Sequence, residues 1–234
     1  MIKEAFKGIS IEYRNRKTLE IQIKPDGQVR VLAPKNSSRE WIKDVIESKR
    51  SWIENKRKLV LEKRPLKTKI EDGMKVLESG DWLTLKIGQS GSPYPIYRCE
   101  DILYVNIIET WKDNENVIKE MLRDFYTNNT RLRIEHCVNI WTKRLGIQPN
   151  RIKIKDQKRR WGSCSSKGNL NFNWRLSMAP DDILEYVVVH ELCHFYHMDH
   201  SKDFWALVEN HLPDYKIKRK WLKDNGQHLF LLDE

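Results

Sequence analysis

The 234-residue sequence lacks the features that mark membrane-spanning and secreted proteins. Its longest apolar stretches, Tyr186–Val189 and Leu229–Leu232, fall far short of the ~18 apolar residues that a transmembrane helix requires. The opening segment, MIKEAFKGIS, contains neither the apolar core nor the small-residue cleavage site of a signal peptide. We therefore expect a cytoplasmic protein that makes no contact with a membrane.

Cysteine is scarce and scattered. The four cysteines, Cys99, Cys137, Cys164 and Cys193, form no C-x-x-C pair. This pattern argues against a disulfide scaffold and a zinc ribbon, and it is typical of reduced thiols in the cytosol. The sequence also has no internal repeat, no low-complexity segment and no G-x-x-x-x-G-K-[ST] phosphate-binding loop.

Aromatic and basic residues are abundant. Nine Trp, eight Tyr and six Phe indicate a chain with a packed core, because disordered segments lack large rings. Lys and Arg exceed Asp and Glu by 43 to 33, and the basic residues concentrate in Lys49–Lys69, Lys153–Arg160 and Lys216–Lys223. Such segments are either the solvated faces of amphipathic elements or a binding surface for nucleic acid.

The hydropathy pattern of the first half predicts a β-rich unit with one long helix. The expected strands are Gly8–Arg14, Thr18–Lys24 and Gln28–Ala33, with a turn at Pro25-Asp26-Gly27. Ser38 is placed to cap a helix that runs to about Leu61, and residues 68–108 return to short strands. A composition shift near residue 110 predicts an N-terminal unit over 1–110 and a second domain over 111–234.

The second half predicts longer helices around one small sheet. Residues 113–145 are expected to be helical, with a break or bend near Asn128-Asn129 and a stop at Gly146. The expected strands are Arg151–Lys155 and a hairpin of Arg160–Cys164 with Leu170–Leu176. Pro180 predicts the start of a helix that reaches His194, and two shorter helices are expected over Ser201–Leu212 and Pro213–Asn225.

The most specific motif is His190-Glu191-x-x-His194, on the helix that follows Pro180. Residues four apart on a helix lie about 40° apart around its axis, so both imidazoles face the same side. Two imidazoles at this spacing can bind one Zn²⁺, and Glu191 can reach a water at the metal and act as general base.

A catalytic zinc site usually has a third protein ligand, and three residues compete for this role. His197 lies too far along a straight helix to share a tetrahedral ion with His194. His200 becomes available if the helix ends before it and the chain turns back, which Ser201 favours as the N-cap of a new helix. Glu209, on that next helix, is the third option. Ligand geometry favours His200.

The segment H-E-L-C-H…H-S-x-x-F-W follows R-W-G-S-C-S-S-K-G-N-L-N-F-N-W-R-L, and together they resemble the YgjP-like metallopeptidases, relatives of the SprT-like zincins. The specific match runs from about Arg159 to Gly226. The resemblance implies an α+β fold with a zincin-like catalytic domain, in which the active helix packs on a small β-sheet. It implies His190, His194 and His200 as zinc ligands and Glu191 as general base. The His190-to-His200 spacing is also similar to that of metzincins, which have Gly where this chain has His197.

The hairpin before the active helix is the expected substrate-binding edge, because an exposed strand offers backbone hydrogen bonds to an extended peptide. Arg160 and Asn171 on this hairpin and Tyr215 farther along the chain are candidate substrate-binding residues. The aromatic residues Trp161, Phe172 and Trp174 are expected in the core.

Three functions remain open on the sequence alone. The first is a zinc metallopeptidase that hydrolyses a protein or peptide substrate. The second is a metal-dependent UTP pyrophosphatase, an activity assigned within the YgjP-like family, for which Arg159, Arg160 and Lys167 would bind the triphosphate. The third is a DNA-associated module with a structural zinc, although such a zinc normally has four protein ligands.

Overall fold

The computed structural model describes residues 8–24, 27–62, 69–230 and 232, and the chain divides into two compact units, residues 1–66 and 67–234. The expected mixed α+β class is confirmed. The boundary predicted near residue 110 lies inside the second unit, because the strands before it and the helix after it share one apolar core. In the predicted turn of the first unit, Pro25 and Asp26 lie outside the described residues.

The first unit is a three-stranded sheet with two helices. Its elements are β1 (Ile9–Arg14), β2 (Glu20–Ile23), β3 (Val29–Pro34), α1 (Arg39–Ser48) and α2 (Arg50–Glu62). Strand β3 is central, parallel to β1 and antiparallel to β2. Its alternate residues are buried with apolar residues of both helices, as the sequence pattern predicts. Ser38 caps α1 as predicted, but the single expected helix ends at Lys49, whose amide bonds to the Val45 and Ile46 carbonyls.

The second unit begins with a four-stranded sheet that packs on a long helix. The strands are β4 (Lys75–Glu78), β5 (Asp81–Gly88), β6 (Ile96–Cys99) and β7 (Ile102–Asn106), in the order β4-β5-β7-β6. The helix α3 spans Glu115–Leu145 and ends at Gly146, as predicted, in a left-handed conformation with φ 66°. Of the break or bend predicted near Asn128-Asn129, the break is wrong, because α3 continues through these residues. The next residue, Thr130, faces inward and its hydroxyl donates to the Trp174 carbonyl at 2.5 Å.

A second sheet contains β8 (Arg151–Lys155), β9 (Gly162–Cys164) and β10 (Asn169–Asn173), in the order β8-β10-β9. Strand β10 runs parallel to β8 and antiparallel to β9, so the predicted hairpin is present and β9 forms an edge of the sheet. The strand predicted to reach Leu176 ends at Asn173, because the Asn173 side chain accepts from the Arg175 amide and starts a 3₁₀ turn over Trp174–Met178.

Three helices complete the unit: α4 (Asp181–Cys193), α5 (Lys202–His211) and α6 (Tyr215–Asn225). The segment that leads into α4 is held by Arg133 of α3, which donates to the Ser177 carbonyl at 2.7 Å and to the Asp181 carboxylate at 2.7 Å. From the other side, the Gly80 amide donates to the Met178 carbonyl at 2.9 Å. The start of α4 is therefore fixed by two neighbouring elements. Across the part of the chain that the structure describes, no helix is long and apolar enough to span a bilayer.

Candidate metal centre

Three histidine side chains converge at the end of α4. His190 projects from the last turn of α4, His194 is the C-cap residue of that helix, and His200 lies in the connection between α4 and α5. Their ligand nitrogens all lie within 4.8 Å of one another, and the Nε2 atoms of His190 and His200 are 3.0 Å apart. Two nitrogen ligands on a tetrahedral Zn²⁺ would be about 3.3 Å apart, since each bond is about 2.05 Å. The three rings therefore fit a single metal ion.

A backbone hydrogen bond sets the orientation of the His194 ring. Its Nδ1 lies 2.9 Å from the carbonyl oxygen of His197. Because a carbonyl only accepts, Nδ1 carries the proton and Nε2 keeps its lone pair for a metal. His197 thus contributes its backbone, and its ring is not among the converging nitrogens in the described residues. Glu209, the other alternative ligand, pairs instead with Lys216 at 2.8 Å.

The local sequence explains why His200 returns to the helix. Helix α4 ends at Cys193, and the chain turns through the next residues. Ser201 caps α5 by accepting from the Phe204 amide at 3.4 Å, and Asp199 accepts from the Ser201 amide at 3.3 Å. These caps fix the chain direction at His200, as expected from Ser201 as an N-cap.

Desolvation favours the metal-binding form of two of the three histidines. Desolvation lowers the pKa of His190 to about 3, with further lowering by the nearby His194, His200 and Arg219. Desolvation also lowers the pKa of His200, although Asp199 opposes the shift. Both imidazoles are therefore neutral near pH 7, and neutral imidazole is the form that coordinates metals.

The Glu191 carboxyl is buried beside this cluster, with only 5% of the residue exposed. Desolvation raises its pKa to about 8, against the opposing effects of the Arg160 charge and a hydrogen bond from the Cys164 backbone. It lies against β9, where a Cβ atom on Gly162 would come within 2.6 Å of Glu191 Oε1. A side chain at position 162 would occupy the space that this carboxyl needs.

Aromatic rings from α5 form the wall behind the histidines. Phe204 stacks on His194 with ring centroids 4.6 Å apart. The Trp205 ring lies 5.6 Å from His190 and 5.7 Å from His200. Helix α6 covers Trp205 in turn, with Tyr215 stacked at 5.3 Å and the Arg219 guanidinium carbon 4.8 Å from the ring centroid.

The structure brings some of the predicted substrate-binding residues to the centre and leaves one away from it. Arg160 is exposed and close enough to Glu191 to affect its pKa. Tyr215 is buried behind Trp205 and supports the wall. Asn171 donates to Ser163 Oγ at 3.2 Å, on the face of the hairpin opposite to the buried Leu170 and Phe172. It is not among the residues that converge on the cluster.

Sequence reasoning missed Gly162, Trp205 and Arg219. A glycine inside a predicted strand is a signal for close approach by another group, and it was available at Gly162. Arg219 gives no such signal, because its position depends on the packing of α6 on α4 and on its contact with Trp205. The core positions expected for Phe172 and Trp174 are confirmed, and Trp161 is partly buried against Phe230.

Comparison with known proteins identifies the family. Residues 17–225 match the family described as "YgjP-like, metallopeptidase domain". No curated protein gives a significant match. Among solved structures, a similar chain is the metallopeptidase zymogen of Pyrococcus abyssi abylysin, which is 23% identical; the alignment covers 38% of this chain and 93% of that chain, with a TM-score of 0.35. Because the family match spans most of the sequence, this chain belongs to the YgjP-like family of metallopeptidase domains.

Proposed function

We propose that this protein is a zinc-dependent peptidase in which His190, His194 and His200 hold the metal and Glu191 is the general base. The observation that carries the proposal is the convergence of three histidine nitrogens beside one buried carboxyl. Three nitrogen ligands suit Zn²⁺ and leave a fourth position open, as catalytic rather than structural zinc sites do.

The centre divides the chemistry between the metal and the chain. A bound Zn²⁺ supplies a Lewis acid that polarises the scissile carbonyl and lowers the pKa of water. The chain supplies the proton transfer: a Glu191 carboxylate oxygen accepts the proton of the attacking water and then donates it to the leaving amine. Burial raises the proton affinity of Glu191, while the Arg160 charge favours its ionised form. The carboxyl therefore suits both the acceptance and the donation of the proton.

Strand β9 supports a zincin-like mode of substrate binding. It is an edge strand, and Gly162 at its start lies directly against Glu191. An extended peptide that pairs with this edge would place its backbone alongside α4, largely regardless of its side chains. The expected substrate is therefore an unfolded or flexible protein segment.

Glu191→Gln tests this function most directly. We expect one zinc per chain in both the parent and the variant, and a loss of peptide hydrolysis of at least about 100-fold in the variant. Glu185→Gln is the matched control, because Glu185 lies on the same helix and bonds to Trp141 Nε1. Hydrolysis that survives in Glu191→Gln would remove the general base from the proposal.

Substrate assays separate the peptidase from its main rival. We expect the zinc-loaded protein to cleave an unstructured protein such as casein and to leave UTP intact. Hydrolysis of UTP without cleavage of any protein substrate would replace the peptidase with a nucleotide pyrophosphatase. Zinc well below one equivalent per chain would contradict the metal assignment itself.

A further inference from the structure

Two arginines flank the candidate centre without an ion-pair partner in the described part of the chain. Arg219 comes from α6, and Arg160 lies two residues before the start of β9. Other cations of α6 are paired: Lys216 with Glu209, Lys218 with Asp214 and Lys220 with Asp224. Arg219 and Lys223 are therefore the basic residues of this helix whose charges are not matched by a carboxylate among the described residues, and Arg219 is the one that lies over the Trp205 ring.

The Trp205 ring contacts both the Arg219 guanidinium and the ring of His190. The guanidinium carbon lies 4.8 Å from the centroid of the Trp205 ring, which itself lies 5.6 Å from the ring of His190. A cation–π contact does not consume the five N–H donors of a guanidinium, so they stay free to bind another group. The charge of Arg219 also lowers the pKa of both His190 and His200, which agrees with this position.

Carboxylates near the centre already have other contacts. Asp199 accepts from the Ser201 amide and shapes the turn at His200. Glu191 is buried against β9 and is assigned to proton transfer. The Arg219 side of the centre thus carries a positive charge that the described residues do not neutralise, and a metal ion adds to it.

We propose that Arg219 is a specificity-determining residue that binds a carboxylate of the peptide substrate close to the scissile bond. A guanidinium presents two parallel N–H donors, which match the two oxygens of a carboxylate. The carboxylate belongs to an Asp or Glu side chain or to the C-terminus of the peptide. This inference rests on the proposed peptidase function and adds a substrate class to it.

The test uses sets of peptides that differ only in one carboxylate. The first set is capped at both ends and carries one Glu, moved through successive positions of a common sequence. The second set has Gln in place of Glu. The third is the Gln peptide with a free C-terminal carboxylate. Preference for the first set identifies a side-chain carboxylate, and preference for the third identifies the C-terminus.

Arg219→Ala is compared with Lys220→Ala, which removes the same charge from the neighbouring exposed position. We expect Arg219→Ala to lower the ratio of kcat/KM for the preferred carboxylate peptide to kcat/KM for the neutral peptide by about tenfold or more. Arg219→Lys should recover only part of the preference, because lysine lacks the planar pair of donors. Equal losses on acidic and neutral peptides, or equal losses in Arg219→Ala and Lys220→Ala, would overturn the proposal.

A binding measurement keeps the substrate class separate from the reaction. The zinc-loaded Glu191→Gln protein, with and without Arg219→Ala, is titrated with fluorescent forms of the same peptides and followed by anisotropy. We expect tighter binding of the carboxylate peptide that depends on Arg219. Such binding without hydrolysis in the parent protein would refute the peptidase function and support the Arg219 site. Hydrolysis without a carboxylate preference would support the peptidase function and refute the Arg219 site.

Discussion

Gly162 and Glu191 are in such close contact that the absence of a side chain at position 162 determines where the carboxyl can lie. A Cβ atom at this position would come within 2.6 Å of Oε1 and 2.7 Å of Cγ of Glu191. Both residues are held by regular structure, Gly162 in β9 and Glu191 in α4. The carboxyl would have to move if a methyl group were added.

Gly162→Ala is therefore expected to impair catalysis while leaving the metal in place. Displacing Glu191 by even part of an ångström should reduce kcat/KM by about 100-fold, because proton transfer depends on its position. The zinc content should stay at the parent value. Ser163→Ala is the control, since Ser163 faces the opposite side and bonds to Asn171. A Gly162→Ala enzyme with parental kcat/KM would show that the contact does not position Glu191.

His200→Ala and His197→Ala should differ in metal affinity. Removing His200 takes away one converging nitrogen, and we expect zinc affinity to fall by more than about 100-fold, beyond the usual effect of an outer contact. His197→Ala keeps the backbone carbonyl that orients His194, so its affinity should stay within a few-fold of the parent. Competition with a chromogenic zinc chelator measures both values. The reverse order would make His197 the ligand.

The metal-free protein should lose folding stability as pH rises, because of the buried carboxyl of Glu191. Burial raises the pKa of its carboxyl from the ordinary 4.5 to about 8 in the folded state, so the unfolded chain loses this proton first as pH rises. Stability is then lost between about pH 4.5 and 8, by a total on the order of a few kcal/mol.

Glu191→Gln removes this contribution. Urea unfolding with a chelator present should therefore show that the variant gains stability relative to the parent as pH rises from 5 to about 8. A constant difference between the two proteins over this interval would mean that Glu191 titrates alike in the folded and unfolded states.

Gly80→Ala should destabilise the second unit more than Gly73→Ala does. Both glycines have positive φ, at 92° and 84°, so each alanine carries a backbone cost of about 1 kcal/mol. Only at Gly80 would the new methyl group also meet the chain, within 2.7 Å of Pro180 Cγ at the start of α4. We expect Gly80→Ala to cost about 1–3 kcal/mol more in the free energy of unfolding, measured with denaturant. Equal costs would show that the start of α4 moves freely.

Features with a local cause were predictable from the sequence. Ser38, Gly146 and Ser201 fulfil the capping roles expected of their residue types, because capping depends on a few neighbouring atoms. The grouping of His190 and His194 follows from helical spacing alone. The prediction of His200 also required that α4 end before it, and Ser201 indicates this end because it is an N-cap for α5.

Features that depend on distant contacts were not predictable in the same way. Continuity of α3 through Asn128-Asn129 depends on helix packing and on the bond from Thr130 to Trp174, far along the chain. The same is true of Arg219, whose position is set by the contact of its guanidinium with Trp205.

Nucleic-acid binding by the three basic segments stays a prediction. Its test is whether the affinity for nucleic acid falls as salt is added.

The connection between His194 and His200 has a consequence for how the protein responds to metal depletion. One end is tied to the His194 ring through the His197 carbonyl, and the other carries the His200 ring. A metal ion bound by both rings would close this segment into a short ring. Removing the metal with a chelator would release the segment without changing the sheets. Amide hydrogen exchange in these residues would then report metal occupancy, whereas β5 and β7, the two central strands of the four-stranded sheet, would keep constant protection.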